Sequence, residues 1–243
     1  MTARVVWMTL TARPPGGAQR WERVNHRGRP LSLLSGPALV AALAASTDLP
    51  RAAAVVAAVG AGAVGGYDDA TGSRCPQDRG LRGHAAALRA GRLTGGAVKV
   101  VGISAVGLLA TRLLGRTRPV DLLLGGAVVA GSANLVNLLD LRPGRALKAG
   151  GVAALLLGQP GPAAATAALL TDDLHERAML GDAGANALGA VLGLALLQRH
   201  PERRRAALAV LVGLTAASEI VSFSRVIDAV APLRWVDRAG RLP

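Results

Sequence analysis

Aromatic residues are nearly missing from this chain: three Trp, one Tyr and one Phe stand in 243 residues. Without aromatic side chains among its basic residues the chain has no stacking platform for single-stranded nucleic acid. Cysteine is almost as scarce. Cys75 is the sole one, which excludes an intrachain disulfide and argues against a Cys-based metal site. The four histidines, His26, His84, His175 and His200, lack the spacing of metal ligands. Lysine is also rare, since only Lys99 and Lys148 among 28 basic residues are lysines. That skew fits a GC-rich coding sequence and partly explains the high isoelectric point. Acid is in short supply too, with 15 Asp and Glu leaving a net charge of +13. Such an excess suits nucleic acid or anionic lipid. The arginines are scattered over every loop, so no nucleic-acid partner is expected. At the N-terminus, Val5 to Leu10 is too short for a signal peptide and is ended by Arg13 and Pro14-Pro15. It reads as the remnant of a first span.

What the chain has in quantity is small and apolar. Half of it is hydrophobic, mostly Ala, Leu and Val, with 31 Gly besides. Gly and Ala let helices approach closely where no water drives them together. Eight apolar segments stand out, at about 31–47, 51–66, 97–111, 119–139, 147–157, 161–171, 183–198 and 206–224. They predict an all-α, polytopic transmembrane bundle of about eight spans, forming a single integral-membrane domain over residues 1–243. Several segments are shorter than the ~20 residues that a perpendicular span needs. The pair around Gly158-Gln159-Pro160-Gly161-Pro162 reads as two short spans or a re-entrant hairpin.

Loop charge predicts orientation. With a cytoplasmic N-terminal segment 1–30, the inner segments are 70–96, 140–146, 172–182 and 225–243. Counted with Lys99 and Lys148 at their rim, they hold 20 of the 28 basic residues. That is a positive-inside bias and predicts a multi-pass protein of the plasma membrane. The same parity puts Asp68-Asp69, Asp140, Asp172-Asp173 and Asp182 on the cytoplasmic face.

Three polar islands carry Asp68-Asp69, Asp140 and Asp182. Asp68-Asp69 ends the second apolar segment. Adjacent acids at a helix end are most often simply solvated. As chemistry, one binds a divalent cation while the other accepts a proton. Asn134, Asn137 and Asp140 recur every three residues, which keeps them on one broad helix face. Interhelical hydrogen bonding is the plain reading, and recognition of a polar ligand the functional one. Gly181-Asp182-Ala183-Gly184 opens the seventh segment. It is either a helix cap or a helix N-terminus offering N–H groups to a phosphate, with a carboxylate for its metal. The basic cytoplasmic loop 70–96 supplies Arg82 and, just beyond it, Lys99 as candidate phosphate contacts, with His84 a hydrogen-bonding group. Glu219, inside the eighth segment, is either functional or paired with Asn186.

Taken in order, the islands resemble the polyprenyl-phosphate N-acetylhexosamine-1-phosphate transferase superfamily, over roughly residues 20 to 228. Asp68-Asp69 is similar to its Asp-Asp pair. Asn134-x-x-Asn137-x-x-Asp140 is similar to its Asn-x-x-Asn-x-x-Asp segment, and Gly181-Asp182-x-Gly184 to its Gly-Asp-x-Gly block. The resemblance implies transfer of a sugar-1-phosphate from a UDP-amino sugar to a polyprenyl phosphate, with Mg²⁺ or Mn²⁺, in cell-envelope glycan synthesis. It also implies that Asp182 and one of Asp68 and Asp69, here Asp68, hold the metal. The other acid of the pair would deprotonate the lipid phosphate, and Asn134, Asn137 and Asp140 would orient the nucleotide sugar. Members are often homodimers. The chain departs from the pattern in three ways. Pro143 stands where the family has a second Asp associated with uracil recognition. A late histidine-rich loop is missing, and the sequence is shorter than typical members. Two alternatives follow: a non-catalytic member that binds a lipid carrier or envelope partner, and a small transporter with Glu219 and Asn186 on its path.

Overall fold

The computed structural model describes residues 3–25, 27–71 and 95–242, and almost all regular structure within them is helical. Helix α1 (Ala3–Ala12) leads to a small antiparallel hairpin, β1 (Glu22–Val24) with β2 (Pro30–Ser32), and then to α2 (Ser35–Ser46). Next come α3 (Arg51–Val55), a π-helical turn (Val56–Gly60) and α4 (Ala61–Thr71). After residue 94 follow α5 (Gly95–Leu113), α6 (Pro119–Leu139), α7 (Arg145–Leu156) and α8 (Pro160–Leu174). The chain closes with α9 (Gly181–Arg199), α10 (Arg204–Ile220), α11 (Phe223–Ala229) and α12 (Ala231–Arg238).

Each apolar segment falls on a helix, but the helices differ in length. Among the described residues, Gly96–Leu113 and Pro119–Leu139 are long and apolar enough to cross a membrane. A third crossing exists if Pro201–Ile220 and Phe223–Ala229, bent by 91°, count as one. At 1.5 Å per residue, the 12 residues of α2 and of α7 reach only about 18 Å, well short of a ~30 Å hydrocarbon core.

Helix α9 is the axis of the bundle. Apart from Asp182, Leu196 and its last two residues, every residue in it is buried. A helix apolar on all sides can be stable only when surrounded. Its neighbours are α2, α4, α6, α7 and the π-helical turn. The small side chains of α9 make that crowding feasible. A Cβ at Gly189 would stand 2.3 Å from the Ser132 carbonyl oxygen on α6.

Helices α7 and α8 pack as an antiparallel hairpin. The Gly144 N–H, at the start of α7, donates to Asp173 at the end of α8. At the tip, Gln159 Oε1 accepts from Thr47 Oγ1 and from the Asp48 N–H just past α2. Both open ends of the hairpin therefore lie together, and residues 140–146 and 172–182 share one side.

The β-hairpin was not anticipated in an all-α chain. Its strands have three residues each and are held from outside: Ser32 bridges Ala178 and exchanges hydrogen bonds with Arg177 and Met179. Glu176, buried and at φ 57, accepts from Asn25 and pairs with Arg27 and Arg29. The hairpin is thus a strap across the loop that precedes α9.

Candidate functional site

At one end of the bundle the last turn of α4 meets the first turn of α9. The two approach so closely that a Cβ at Gly65 would lie 2.1 Å from the Asp182 carbonyl oxygen. Asp69 uses the contact to cap the neighbouring helix: its two carboxylate oxygens accept the N–H groups of Asp182 and Ala183, each at 3.0 Å. The preceding N–H, of Gly181, lies near Asp140 and favours its charged form. Gly181 has φ +59, and a Cβ there would meet an Asp69 carboxylate oxygen at 2.9 Å. The left-handed backbone favours glycine here, and a larger residue would also displace the Asp69 carboxylate.

This overturns one expectation. The first N–H groups of α9 are not open to a phosphate, because carboxylates of the same chain already take them. Asp182 does not cap its own helix either; the cap comes from Asp69.

Asp68 and Asp182 both meet Lys99. Lys99 Nζ, from the first turns of α5, stands 2.6 Å from Asp182 Oδ2 and 3.3 Å from Asp68 Oδ2. The two carboxyls are also hydrogen-bond neighbours of each other. Burial first, and that contact second, push the Asp182 carboxyl up to about 7. Lys99 was expected to meet phosphate. Here its ammonium stands between two acids, where a hard cation would also find its ligands. Among the described residues, no three His, Cys, Asp or Glu side chains are gathered for a metal. An ion such as Mg²⁺ would therefore take two protein carboxylates and complete its shell with water and phosphate oxygens, a habit that suits it.

Two cavities flank the cluster. One, of about 420 Å³, is walled by apolar side chains of α5, α6 and α10, among them Ile103, Leu208 and Val212. Lys99, Asn134, Asn186 and Thr215 supply its polar atoms. Asn134 Nδ2 donates to Thr215 Oγ1 at 3.1 Å. Asn186 is fully buried, and among the described residues neither its amide nitrogen nor its oxygen has a partner. The alternative in which Asn186 pairs with Glu219 is not formed; Glu219 is exposed on α10.

The other cavity, of about 230 Å³, lies between the β-hairpin and the loops on either side of the α7–α8 pair. Asn25, Asp140, Arg142, Pro143, Asp173 and Glu176 contribute to its wall. Asp140 is buried, and its carboxyl is held well above the usual carboxylate range by burial, then by the nearby charges of Asp173 and Asp182. Asp173 is likewise pushed up to about 7, chiefly by burial.

The expected Asn134, Asn137 and Asp140 face is split between the two cavities. A step of three residues turns a helix by about 300°, so each step drifts about 60° and the first and last members diverge by about 120°. Asn134 lines the apolar cavity and Asp140 the polar one, while Asn137 lies half-buried between them. Arg82 and His84 lie outside the described residues. Asp173 was not singled out beforehand. Its only signal in the sequence is a pair of acids closing an otherwise apolar helix, a pattern shared with many solvated helix ends. No protein-family model matches the chain, and no curated protein matches it either.

Proposed function

We propose that the chain is a multi-pass membrane transferase of the polyprenyl-phosphate sugar-1-phosphate class, with about eight crossing or re-entrant segments and a cytoplasmic active face. The observation that carries this reading is the position of the Asp68, Lys99 and Asp182 cluster. It lies beside an apolar cavity on one hand and, through Gly181 and Asp140, a polar cavity on the other. A phosphoryl transfer between a lipid and a water-soluble donor needs that sequence of environments. The alkyl chain of a polyprenyl phosphate fits an apolar cavity between helices, with Lys99 at the end where its phosphate would lie. The UDP-amino sugar would approach from the polar side.

In the reaction, an oxygen of the lipid phosphate attacks the β-phosphorus of the UDP-sugar. The bond to the bridging oxygen breaks, and UMP leaves with that oxygen and its electron pair. Mg²⁺ held by Asp68 and Asp182 would neutralise charge on the diphosphate. Lys99, drawn from the carboxylates by an arriving phosphate, would pair with the lipid head. Asp69 acts by positioning: it holds the α9 backbone, and hence Asp182, against Asp68. Such catalysis rests on placement and charge neutralisation more than on proton transfer.

Purified protein in detergent, supplied with polyprenyl phosphate, UDP-N-acetylhexosamine and Mg²⁺, should form a lipid-linked pyrophosphoryl sugar and release UMP. Failure to form product with any of several UDP-amino sugars, together with no Mg²⁺-dependent exchange of labelled UMP into the donor, would sink the reading. Turnover that survives Asp182→Asn would sink the assignment of the cluster.

A further inference from the structure

The chain beyond α10 takes no part in the cluster or in the two cavities beside it, and it changes direction abruptly. Pro201–Ile220 and Phe223–Ala229 are apolar enough to cross a membrane when taken together, yet they are bent by 91°. With α10 crossing the bilayer, as proposed above, that bend sets α11 along the membrane plane. Helix α12 follows and packs against α11. At about 100° per residue, Pro232, Leu233, Trp235 and Val236 fall on one half of α12, and Arg234, Asp237 and Arg238 on the other. Only Asp237 is buried in this helix. Leu233, Trp235 and Val236 are exposed, Trp235 to 76%, as are Val226 and Val230 just before them. Water disfavours so large an uncovered apolar stripe, which marks a surface meant for a partner.

Charge and side-chain type say which partner. Arg145 and Arg241 already neutralise Asp237. On the exposed surface of α11 and α12, Arg225, Arg234 and Arg238 therefore outnumber Asp228. Arg234 donates to the Asp228 carbonyl oxygen at 2.8 Å and Arg238 to its carboxylate at 3.2 Å, which holds both guanidinium groups on the polar side of the stripe. Tryptophan, apolar in body with one N–H, settles at the boundary between headgroups and acyl chains. An exposed apolar stripe carrying Trp and edged by arginine suits the interface of an anionic bilayer. A second copy of the chain suits it less, because a symmetric contact would set the same arginines against one another.

We infer that α12, led by α11, docks on the anionic headgroup layer of the cytoplasmic leaflet, with Trp235 entering the boundary to a depth of about 5–10 Å. The inference rests on the membrane-spanning part of the proposed function and not on its chemistry. Docking fixes more than the tail of the chain. Lys148 Nζ donates to the carbonyl oxygens of Val236 and Ala239, at 2.9 and 2.6 Å, and Arg241 Nε donates to that of Pro143 at 2.8 Å. Helix α12 is thus tied to the start of α7 and to the loop after α6. The depth of Trp235 therefore sets the height of that loop above the lipid.

Fluorescence of the full chain reconstituted in phospholipid vesicles tests this. Trp235→Phe, a mild change at an exposed position, separates the emission of Trp235 from that of Trp7 and Trp21. In phosphatidylglycerol vesicles with bromine near the glycerol end of the acyl chains, the Trp235 emission should lose about half its intensity or more. Acrylamide in the water should quench it little. Phosphatidylcholine vesicles, or Arg234→Gln combined with Arg238→Gln, should weaken the bromine quenching and strengthen that by acrylamide. Quenching by acrylamide and not by bromine would overturn the inference. Emission shielded from both would overturn it too, since a protein partner then covers the stripe, and so would equal bromine quenching in the two lipids. An alkaline carbonate wash separates the two proposals. Protein stripped from the vesicles removes the spanning reading, whereas protein retained with Trp235 unquenched removes this inference alone.

Discussion

Two clusters in this chain put a buried acid beside a cation, and they behave in opposite ways. At the C-terminal end, Asp237 lies between Arg145 and Arg241. Arg145 donates to both of its oxygens, at 2.8 and 3.1 Å, and Arg241 adds a bond at 2.7 Å. Burial works against the charge there, but the two guanidinium groups outweigh it, and the Asp237 carboxyl sits below its ordinary value. At the Asp68, Lys99 and Asp182 cluster two carboxylates share a single ammonium, and Asp182 is pushed the other way. The first arrangement has cations in excess and is closed; it pins α12 to the start of α7. The second sets two carboxylates on the ammonium of Lys99. The contrast separates an acid that guanidinium groups hold in its charged form from one that burial and a neighbouring carboxyl push toward its protonated form.

Breaking each cluster should give different losses. Asp182→Asn should lower transfer by about a thousandfold, since it removes a ligand of the charge-neutralising ion. The thermal midpoint in detergent should hardly move; a large drop would place Asp182 with Asp237 as a structural acid. Asp237→Ala should do the reverse. Stripped of its partner, buried Arg145 is left uncompensated, at a cost of about 3–5 kcal/mol measured by chemical denaturation. Donor binding by the fraction that stays folded should be normal.

The comparison also predicts opposite responses to pH. Asp173 and Asp182 are both raised to about 7, so the folded state holds protons that the unfolded chain releases near 3.8. Their contribution to stability is complete below that lower value and is lost as pH rises through about 7. Asp237 runs the other way, because its lowered value adds stability above the ordinary carboxylate range. Melting temperature in metal-free buffer should therefore fall from about pH 5 to about pH 8, and Asp173→Asn should flatten part of the slope. Saturating Mg²⁺ should flatten the part due to Asp182, and chelation should restore it. A profile that ignores Mg²⁺ would argue against a metal at this cluster.

The smallest expected effect belongs to the cap. Asp69→Asn keeps one acceptor for α9 and loses the charge at its N-terminus, so stability should fall by only about 1 kcal/mol. Transfer should fall further than that, because Asp182 loses its fixed position. Equal small changes in both would mean that Asp69 serves the fold alone.

Much of this site was legible because its parts obey local rules. Acids closing apolar runs announce themselves, and the parity of the apolar runs places Asp68-Asp69, Asp140 and Asp182 at one end of the bundle. What local rules miss is division of labour. Nothing in the pair Asp68-Asp69 says which acid faces Lys99 and which faces a helix terminus 113 positions away; that follows from how α4 crosses α9 at Gly65. Asp173 and the Arg145 to Asp237 bond were illegible for the same reason, since each partner is chosen by packing across 29 and 92 positions. The β-hairpin escaped because three-residue strands have too little alternation to read, and its support comes from the loop before α9.

The reach of Asp69 has a consequence for how the protein is made. During synthesis Asp69 leaves the ribosome more than a hundred residues before the amide groups it will hold. Until α9 arrives and docks, Asp68 and Lys99 have no Asp182 to meet, and any chain truncated or mis-inserted ahead of α9 lacks the cluster altogether. Assembly of the cluster is thereby reserved for molecules in which α9 has been made and has docked.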